Sequence, residues 1–403
     1  MGDPSRVRVT GPLEAYAPGF AAALTRVGYR RDPTADQLRV LAHLSRWLAA
    51  EGLSAAELTP AVGDAFLAAR RAAGYTLWLS PKALVPLLHH LRGIGVVPPE
   101  PVAIPSPREA LLTRYHGYLI SERGVRRSTA SGYVNFARPF LHKREARDGT
   151  LQLADLTARD ITEFVVAEVP GRPMGSAKLI VTALRSLLRF LLVDGVLEQS
   201  LASAVPAVAG SRLAGLPRAL ESGQVRKLLA SCDRSTAVGR RDFAVLTMLV
   251  RLGLRAGEIV ALELGDIDWP GGEIIVRGKG DRRECLPLPV DVGRAVVAYL
   301  RHGRPVGKCP HLFLRVRAPR GALTSSGVTA IVMGAARKAG LPPVAAHRLR
   351  HTAATELLRA GASLSEIGQV LRHRSPLSTA IYAKVDRVAL RQLARPWPAG
   401  GAA

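Results

Sequence analysis

The sequence predicts a mainly helical protein with a small β-hairpin or sheet, built as two similar helical modules followed by a mixed α/β domain. Three observations predict it. Apolar residues recur at three- and four-residue steps over most of the chain, a set of segments repeats in the same order within the first half, and one glycine-tipped stretch in the second half alternates like a hairpin. With 403 residues, 48% of them hydrophobic and 22% charged, the chain is long enough for more than one core and too apolar for disorder.

The repeat defines the first two modules. ALVPLLHHLRGIGVV (Ala83 to Val97) aligns without gaps on ALRSLLRFLLVDGVL (Ala183 to Leu197). Upstream, GLSAAELTPAVGDAFL (Gly52 to Leu67) parallels GTLQLADLTARDITEFV (Gly149 to Val165), and GYRRDPTA (Gly28 to Ala35) parallels GVRRSTA (Gly124 to Ala130). A shared order of three matches is harder to reach by chance than any one of them. The expected modules are residues 1–100 and 106–203. Leu84, Leu87, Leu88 and Leu91, like Leu184, Leu187, Leu188 and Leu191, lie on one helical face and are core. The proline-rich segment Val96 to Glu109 separates the modules as a semi-rigid linker, and the breaker-rich segment Ser203 to Leu220 ends the second.

A different pattern begins near Glu221, and the third domain is expected over residues 217–390, with a loose tail at 391–403. Ser222 is the candidate N-cap of its first helix, and Asp242 to Leu254 is a strongly apolar helix stopped by Gly253. GGEIIVRGKGDRRECLPLP (Gly271 to Pro289) reads as two strands around the tip GKGD. Helices follow over Ser325 to Ala339, His347 to Arg359, Leu364 to Arg372 and Pro376 to Lys384.

Bulk properties narrow the function. A formal charge of +24 and a pI near 11.1 call for a polyanionic partner, nucleic acid first, although codon bias toward arginine would also raise this balance. Three widely spaced cysteines, Cys232, Cys285 and Cys309, fit a reducing interior with no disulfide framework. Neither a signal peptide nor an apolar span of ~20 residues is visible, so a cytoplasmic protein with no membrane partner is expected. GRPVGKC (Gly303 to Cys309) is one residue short of a phosphate-cradling loop and ends in Cys where a Ser or Thr is needed. Cys309-Pro310-His311 has no second ligand pair, no HExxH string occurs, and no acidic triad suggests two-metal chemistry. No cofactor and no metal are expected.

What remains is a series of residues suited to a phosphodiester: Arg255, Lys279, His347 with Arg350, then His373 and, nine residues later, Tyr382. Metal-free chemistry at phosphate must meet the charge that grows on the non-bridging oxygens with fixed cations. Arginine does so with a planar fork that keeps its charge. Arg255 and Arg350 are therefore the candidate clamps, with Glu258, three residues after Arg255, placed to hold the first. His347 and Arg350 share one side at the start of a helix, where free N–H groups favour an anion, and His347 can move a proton near neutral pH. His351 is expected to point elsewhere, in packing or a supporting hydrogen bond, and stays outside the catalytic set. Lys279 sits at the hairpin tip; Arg277, Arg282 and Arg283 beside it, and Arg126 and Arg127 in the second module, are candidate grips on DNA phosphates. Tyr382 is the candidate nucleophile, its phenol needing neighbouring cations or a base.

The strings LGLRAGEIVALELGDID, HRLRHTAATELL and LRHRSPLSTAIYAKV resemble the signature boxes of the tyrosine recombinase (phage integrase) family, over about residues 106 to 390. The resemblance implies a SAM-like core-binding module before the catalytic domain, and residues 1–100 would be an extra copy of it. It also implies site-specific cleavage and rejoining of double-stranded DNA through a 3′-phosphotyrosyl intermediate, by a homo-tetramer on two DNA sites, with or without partner recombinases or accessory proteins. By the same resemblance, Lys279 protonates the leaving 5′ oxygen and His373 hydrogen-bonds the phosphate. The chain departs from the family pattern twice: Arg372 stands where glycine is usual, and Arg348 where an acidic residue is usual. A type IB-like DNA topoisomerase uses a similar residue set and is the nearest rival; a non-catalytic DNA-binding partner of a recombinase is the other.

Overall fold

A computed structural model describes residues 3–99, 105–209, 219–278, 282–373, 375–385 and 390. The chain falls into two compact units, one formed by Met1–Glu100 together with Gly215–Ala403 and the other by Pro101–Ala214. Among the described residues no helix is long and apolar enough to cross a membrane. All three cysteines are free thiols. The tail at 391–403 and the hairpin tip with Lys279 lie outside the described residues.

Unit two is a four-helix module: α5 (Pro107–Ser121), α6 (Arg127–Lys143), α7 (Ala158–Glu168) and α8 (Met174–Val193), preceded in the chain by α1 (Ala17–Arg26), α2 (Arg31–Ala50), α3 (Pro60–Ala72) and α4 (Val85–Gly93) of unit one. Each set encloses its own apolar core, centred on Leu112, Tyr115, Phe140 and Leu187 in unit two and on Leu41, Leu48, Phe66 and Leu87 in the first hundred residues. The matched sequence segments share local structure. Thr59 and Thr157 both cap the helix after the aligned leucines, accepting from Val62 N–H and Asp160 N–H. Both α4 and α8 end before a glycine with positive φ, +73° at Gly95 and +74° at Gly195. In each, the next valine N–H then reaches back to a helix carbonyl, Val96 to Leu91 and Val196 to Leu191.

The last third opens with α9 (Ser222–Ala230), α10 (Ala237–Arg251) and the short α11 (Ala256–Ala261). Ser222 is the first helical residue, not the cap: Glu221 holds the N-cap and forms a capping box with Gln224. A three-stranded antiparallel sheet follows, β1 (Ile267–Asp268), β2 (Glu273–Arg277) and β3 (Arg283–Pro287), in that spatial order. The β2–β3 pairing runs from Glu273 opposite Pro287 to Arg277 opposite Arg283, the expected hairpin. Then come α12 (Val290–His302), α13 (Ser325–Lys338), α14 (Ala346–Arg359), α15 (Leu364–Val370) and α16 (Leu377–Ala380), the last running into a 3-10 turn at Ile381–Val385. Within unit one this part is joined to the first hundred residues by the Arg320 N–H, which donates to the Val27 carbonyl at 2.9 Å.

Apolar faces of α10, α12, α13 and α14 close one core, with Leu246, Leu249, Val296, Val332 and Leu349 inside it, and Ile274 and Val276 bring the sheet onto it. A small satellite cluster of Ala354, Ile367, Leu371 and Tyr382 holds the C-terminal helices against α14. These two cores fix the element ends on which the candidate chemistry sits.

Candidate active site

The site is built around the turn that follows α10. Gly253 has φ +57° there, and a Cβ would sit 2.5 Å from the Leu371 side chain, so glycine is required both by conformation and by room. Its carbonyl accepts from Arg350 Nη1 at 2.6 Å, and Arg350 Nη2 donates to the carbonyl of Leu371 at the end of α15. Arg350 is 1% exposed. One guanidinium thus ties three chain segments together while each terminal nitrogen keeps a second N–H. Burial first, then the charge of Arg255, pushes its pKa down to about 9, which leaves it charged at neutral pH.

Two residues past Gly253, Arg255 is the N-cap of α11. Its Nη1 donates to Glu258 Oε1 at 2.6 Å and its backbone N–H to Glu258 Oε2 at 2.9 Å, the pairing that the three-residue spacing suggests. Glu258 is buried, whereas the Arg255 side chain is 42% exposed. The carboxylate has a second cation: Arg372 Nη2 donates to Oε2 at 2.9 Å. Burial alone would raise the Glu258 pKa, but the Arg372 charge, the Arg255 N–H and the Arg255 guanidinium together hold it below its ordinary value.

On the first turns of α14, His347 is exposed and packs edge-on against His351, ring centroids 4.5 Å apart. His351 does not point elsewhere: its Nδ1 lies 2.9 Å from the Tyr382 hydroxyl. Burial, then His347 and Arg350, bring the His351 pKa down to about 4, so the ring is neutral near pH 7. Burial raises the Tyr382 phenol against an opposing pull from Arg350, so it is protonated. In the tautomer with its proton on Nε2, His351 accepts from the phenol. The signal for His351 was present in the sequence, since it is four residues after His347 and therefore on the same helix face.

His373 is half-buried, its Nδ1 2.7 Å from the Thr379 hydroxyl and its ring parallel to Tyr382 at 6.4 Å between centroids. Burial, followed by Arg350 and Arg255, lowers its pKa to about 4. The His347 ring is open to solvent on one side and packed on His351 on the other, and this partial desolvation, then the same two arginines, lowers its pKa. Arg255, His347, Arg350, His373 and Tyr382 are therefore gathered into one electrostatic neighbourhood, with His351 added to them.

Other expected contacts are placed differently. Lys279 lies outside the described residues; of its flanks, the Gly278 N–H donates to the Arg282 carbonyl at 2.8 Å. Arg277 turns inward, its Nη2 2.7 Å from Asp266 Oδ1 and 3.1 Å from Glu263 Oε2, so its charge is committed to the protein's own carboxylates. Arg282 and Arg283 are exposed beside the loop, and Arg126 and Arg127 are exposed at the start of α6 in unit two. Cys309 Sγ and His311 Nδ1 are 3.7 Å apart, and among the described residues no group of three or more His, Cys, Asp or Glu side chains gathers as a metal site.

Known proteins resemble this chain in sequence and in fold. The phage integrase family model matches residues 218–388. The Sinorhizobium fredii protein y4rA, named as an integrase/recombinase, is 41% identical over 96% of this chain and 95% of its own length. Tyrosine recombinase XerD of Listeria monocytogenes is 31% identical over 70% of this chain and 96% of its own length. Among solved structures, a lambda integrase dimer bound to a COC′ core site matches 72% of this chain and 97% of its own with TM-score 0.53 at 21% identity, a likeness of fold. XerH bound to palindromic difH substrate in a post-cleavage complex matches 70% and 83% with TM-score 0.53 at 22% identity. Taken with the cluster at the end of α10 and the start of α14, these matches make the chain a member of the phage integrase family, a site-specific tyrosine recombinase.

Proposed function

We propose that Tyr382 attacks the scissile phosphate of a DNA strand, giving a 3′-phosphotyrosyl bond and a free 5′ hydroxyl, and that the 5′ hydroxyl of a partner strand reverses the step. The observation that carries this reading is the 2.9 Å contact between the Tyr382 hydroxyl and His351 Nδ1, beside the buried charge of Arg350. As the phenol oxygen bonds to phosphorus, its proton passes to His351, a neutral acceptor already in place. Arg255 and Arg350 neutralise the charge growing on the non-bridging oxygens. His347 stands at the open side of the pocket and His373 beside the phenol, both able to hydrogen-bond the phosphate. Lys279, on the hairpin loop, is the donor expected to protonate the leaving 5′ oxygen. Bond energy is kept in the ester, so the reaction asks for neither nucleotide nor metal.

The partner in this reading is double-stranded DNA in the cytoplasm, and two cleavable duplexes require a homo-tetramer, with or without accessory proteins. Residues 106–203 serve as the core-binding module, and residues 1–100 are a second, SAM-like copy of it that contacts flanking DNA or another protomer. The matched caps and helix ends of the two modules support that duplication. Arg126, Arg127, Arg282 and Arg283 grip backbone phosphates, which position the protein without specifying sequence.

A test begins by selecting a nicked suicide duplex from a randomised pool through capture of the covalent adduct. Wild type should give an adduct on a denaturing gel and Tyr382→Phe none. An equal yield from the phenylalanine variant would remove Tyr382 as the nucleophile. Absence of any wild-type adduct across the pool would remove the reaction itself.

A further inference from the structure

Arg372 occupies the position where the family pattern has glycine, and its backbone shows why glycine is usual: φ is +55°, the left-handed region that side chains disfavour. An arginine kept there must do something that offsets the strain. The side chain does not reach solvent. It is 3% exposed, Nη1 donates to the Val370 carbonyl at 2.8 Å, and Nη2 donates to Glu258 Oε2 at 2.9 Å. Its Nε is buried with no acceptor among the described residues, a further cost.

Glu258 explains the expense. Its two oxygens are shared between a buried guanidinium, Arg372, and a half-exposed one, Arg255. With Arg255 as its only partner, a buried carboxylate would hold that arginine tightly, because releasing it would leave a charge unpaired in low dielectric. With Arg372 in place, Glu258 stays compensated when Arg255 turns to a phosphate. The charge count agrees. Beside the charges that Lys279 and protonated His351 bring, Arg255, Arg350 and Arg372 less Glu258 contribute two net positive charges against the negative charge that grows on the phosphate. A glycine at 372 would leave one.

We propose that Arg372 is a positioning residue for strand cleavage: by holding Glu258 from the buried side, it frees Arg255 to grip the scissile phosphate. This rests on the reading of Tyr382 as the nucleophile. The other groups acting on Glu258 are the Arg255 guanidinium and its backbone N–H, and both remain when Arg372 is changed.

Arg372→Gly relaxes the backbone but removes one partner of a buried ion pair, so the variant should fold with a moderately lower Tm, and the rate is compared at a temperature where both proteins are folded. On the selected suicide duplex its rate of adduct formation should fall about 10-fold or more. Arg372→Lys, which keeps the charge without the fork, should recover part of that loss. A readout independent of activity is the Glu258 carboxyl carbon, followed by NMR in labelled protein and assigned by its loss in Glu258→Gln. Its titration midpoint should rise in Arg372→Gly and stay near wild type in Arg372→Lys. An Arg372→Gly rate within twofold of wild type overturns the proposal. So does a slowed variant whose Glu258 midpoint has not moved, since the effect would then be structural. Failure of wild type to form any adduct speaks against the Tyr382 reading instead, a separate result from equal adduct in wild type and Arg372→Gly.

Discussion

The candidate site has a floor and a rim, and they use the same residue types differently. On the floor, Arg350 and Tyr382 are 1% and 2% exposed, and the guanidinium is bonded to two backbone carbonyls. On the rim, the Arg255 side chain is 42% exposed and His347 faces solvent. A buried cation acts strongly on a reacting phosphate because little water screens it, but the fold also depends on it. An exposed cation can meet DNA and leave again at small structural cost. Floor variants should therefore lower stability and rate together, and rim variants rate or salt dependence alone.

The largest effect is expected from Arg350→Ala, which strips the Gly253 and Leu371 carbonyls of a charged donor. We expect a loss of about 2–4 kcal/mol in stability, read by denaturant titration, and a drop of roughly 10³-fold or more in adduct formation. Arg255→Ala should slow the adduct by about 10²- to 10³-fold with almost no change in Tm. Equal Tm losses in the two variants would erase the distinction between floor and rim. His351→Ala, which deprives the phenol of its acceptor, should cost about 10²-fold in single-turnover rate and leave DNA affinity unchanged. If it instead weakens binding at constant rate, His351 belongs to the DNA contact surface.

The histidines give a pH signature. His351 and His373 both have folded values of about 4, below the ordinary 6.5, so the unfolded chain binds more protons between those limits. Stability is therefore full above about pH 6.5 and declines as pH falls toward about 4. His351→Gln should flatten part of that decline in a series of thermal melts, and an unchanged slope would argue that the imidazole is not held neutral by the fold. The smallest effects separate Arg277 from its neighbours. Arg277→Ala should lower Tm by a few degrees and leave the salt dependence of DNA binding alone, because its partners are Glu263 and Asp266. Arg282→Ala and Arg283→Ala should each reduce the slope of log affinity against log salt by about one, with Tm unchanged.

Periodicity and breakers made most of the fold legible. The helix expected over Ser325 to Ala339 is α13, the one expected from His347 is α14, and the alternating stretch around GKGD is the β2–β3 hairpin. Strand β1 is only Ile267–Asp268, too short for any period to show. The helix expected over Pro376 to Lys384 is split between α16 and a 3-10 turn, a change of hydrogen-bond step that composition does not encode. Residue type and spacing picked out Arg255, Glu258, His347, Arg350, His373 and Tyr382, side chains that the fold brings near one another. They misjudged Arg277, since its acidic partners come from the turn at Glu263 and Asp266 rather than from its own strand. Arg372 was visible only as a departure from a pattern; that it lies in the left-handed region and reaches Glu258 at 2.9 Å depends on long-range packing.

The seclusion of Tyr382 bears on fidelity. In the proposed reaction the phenol, 2% exposed in the free protein, meets solvent only where DNA also enters, so bound DNA shields the phosphotyrosyl ester from hydrolysis. Bulk water is the rival of the incoming sugar hydroxyl, and a strand end delivered by base pairing competes at high local concentration against solvent that is kept out. On that reading the cleaved strand is resealed rather than left with a protein-capped end.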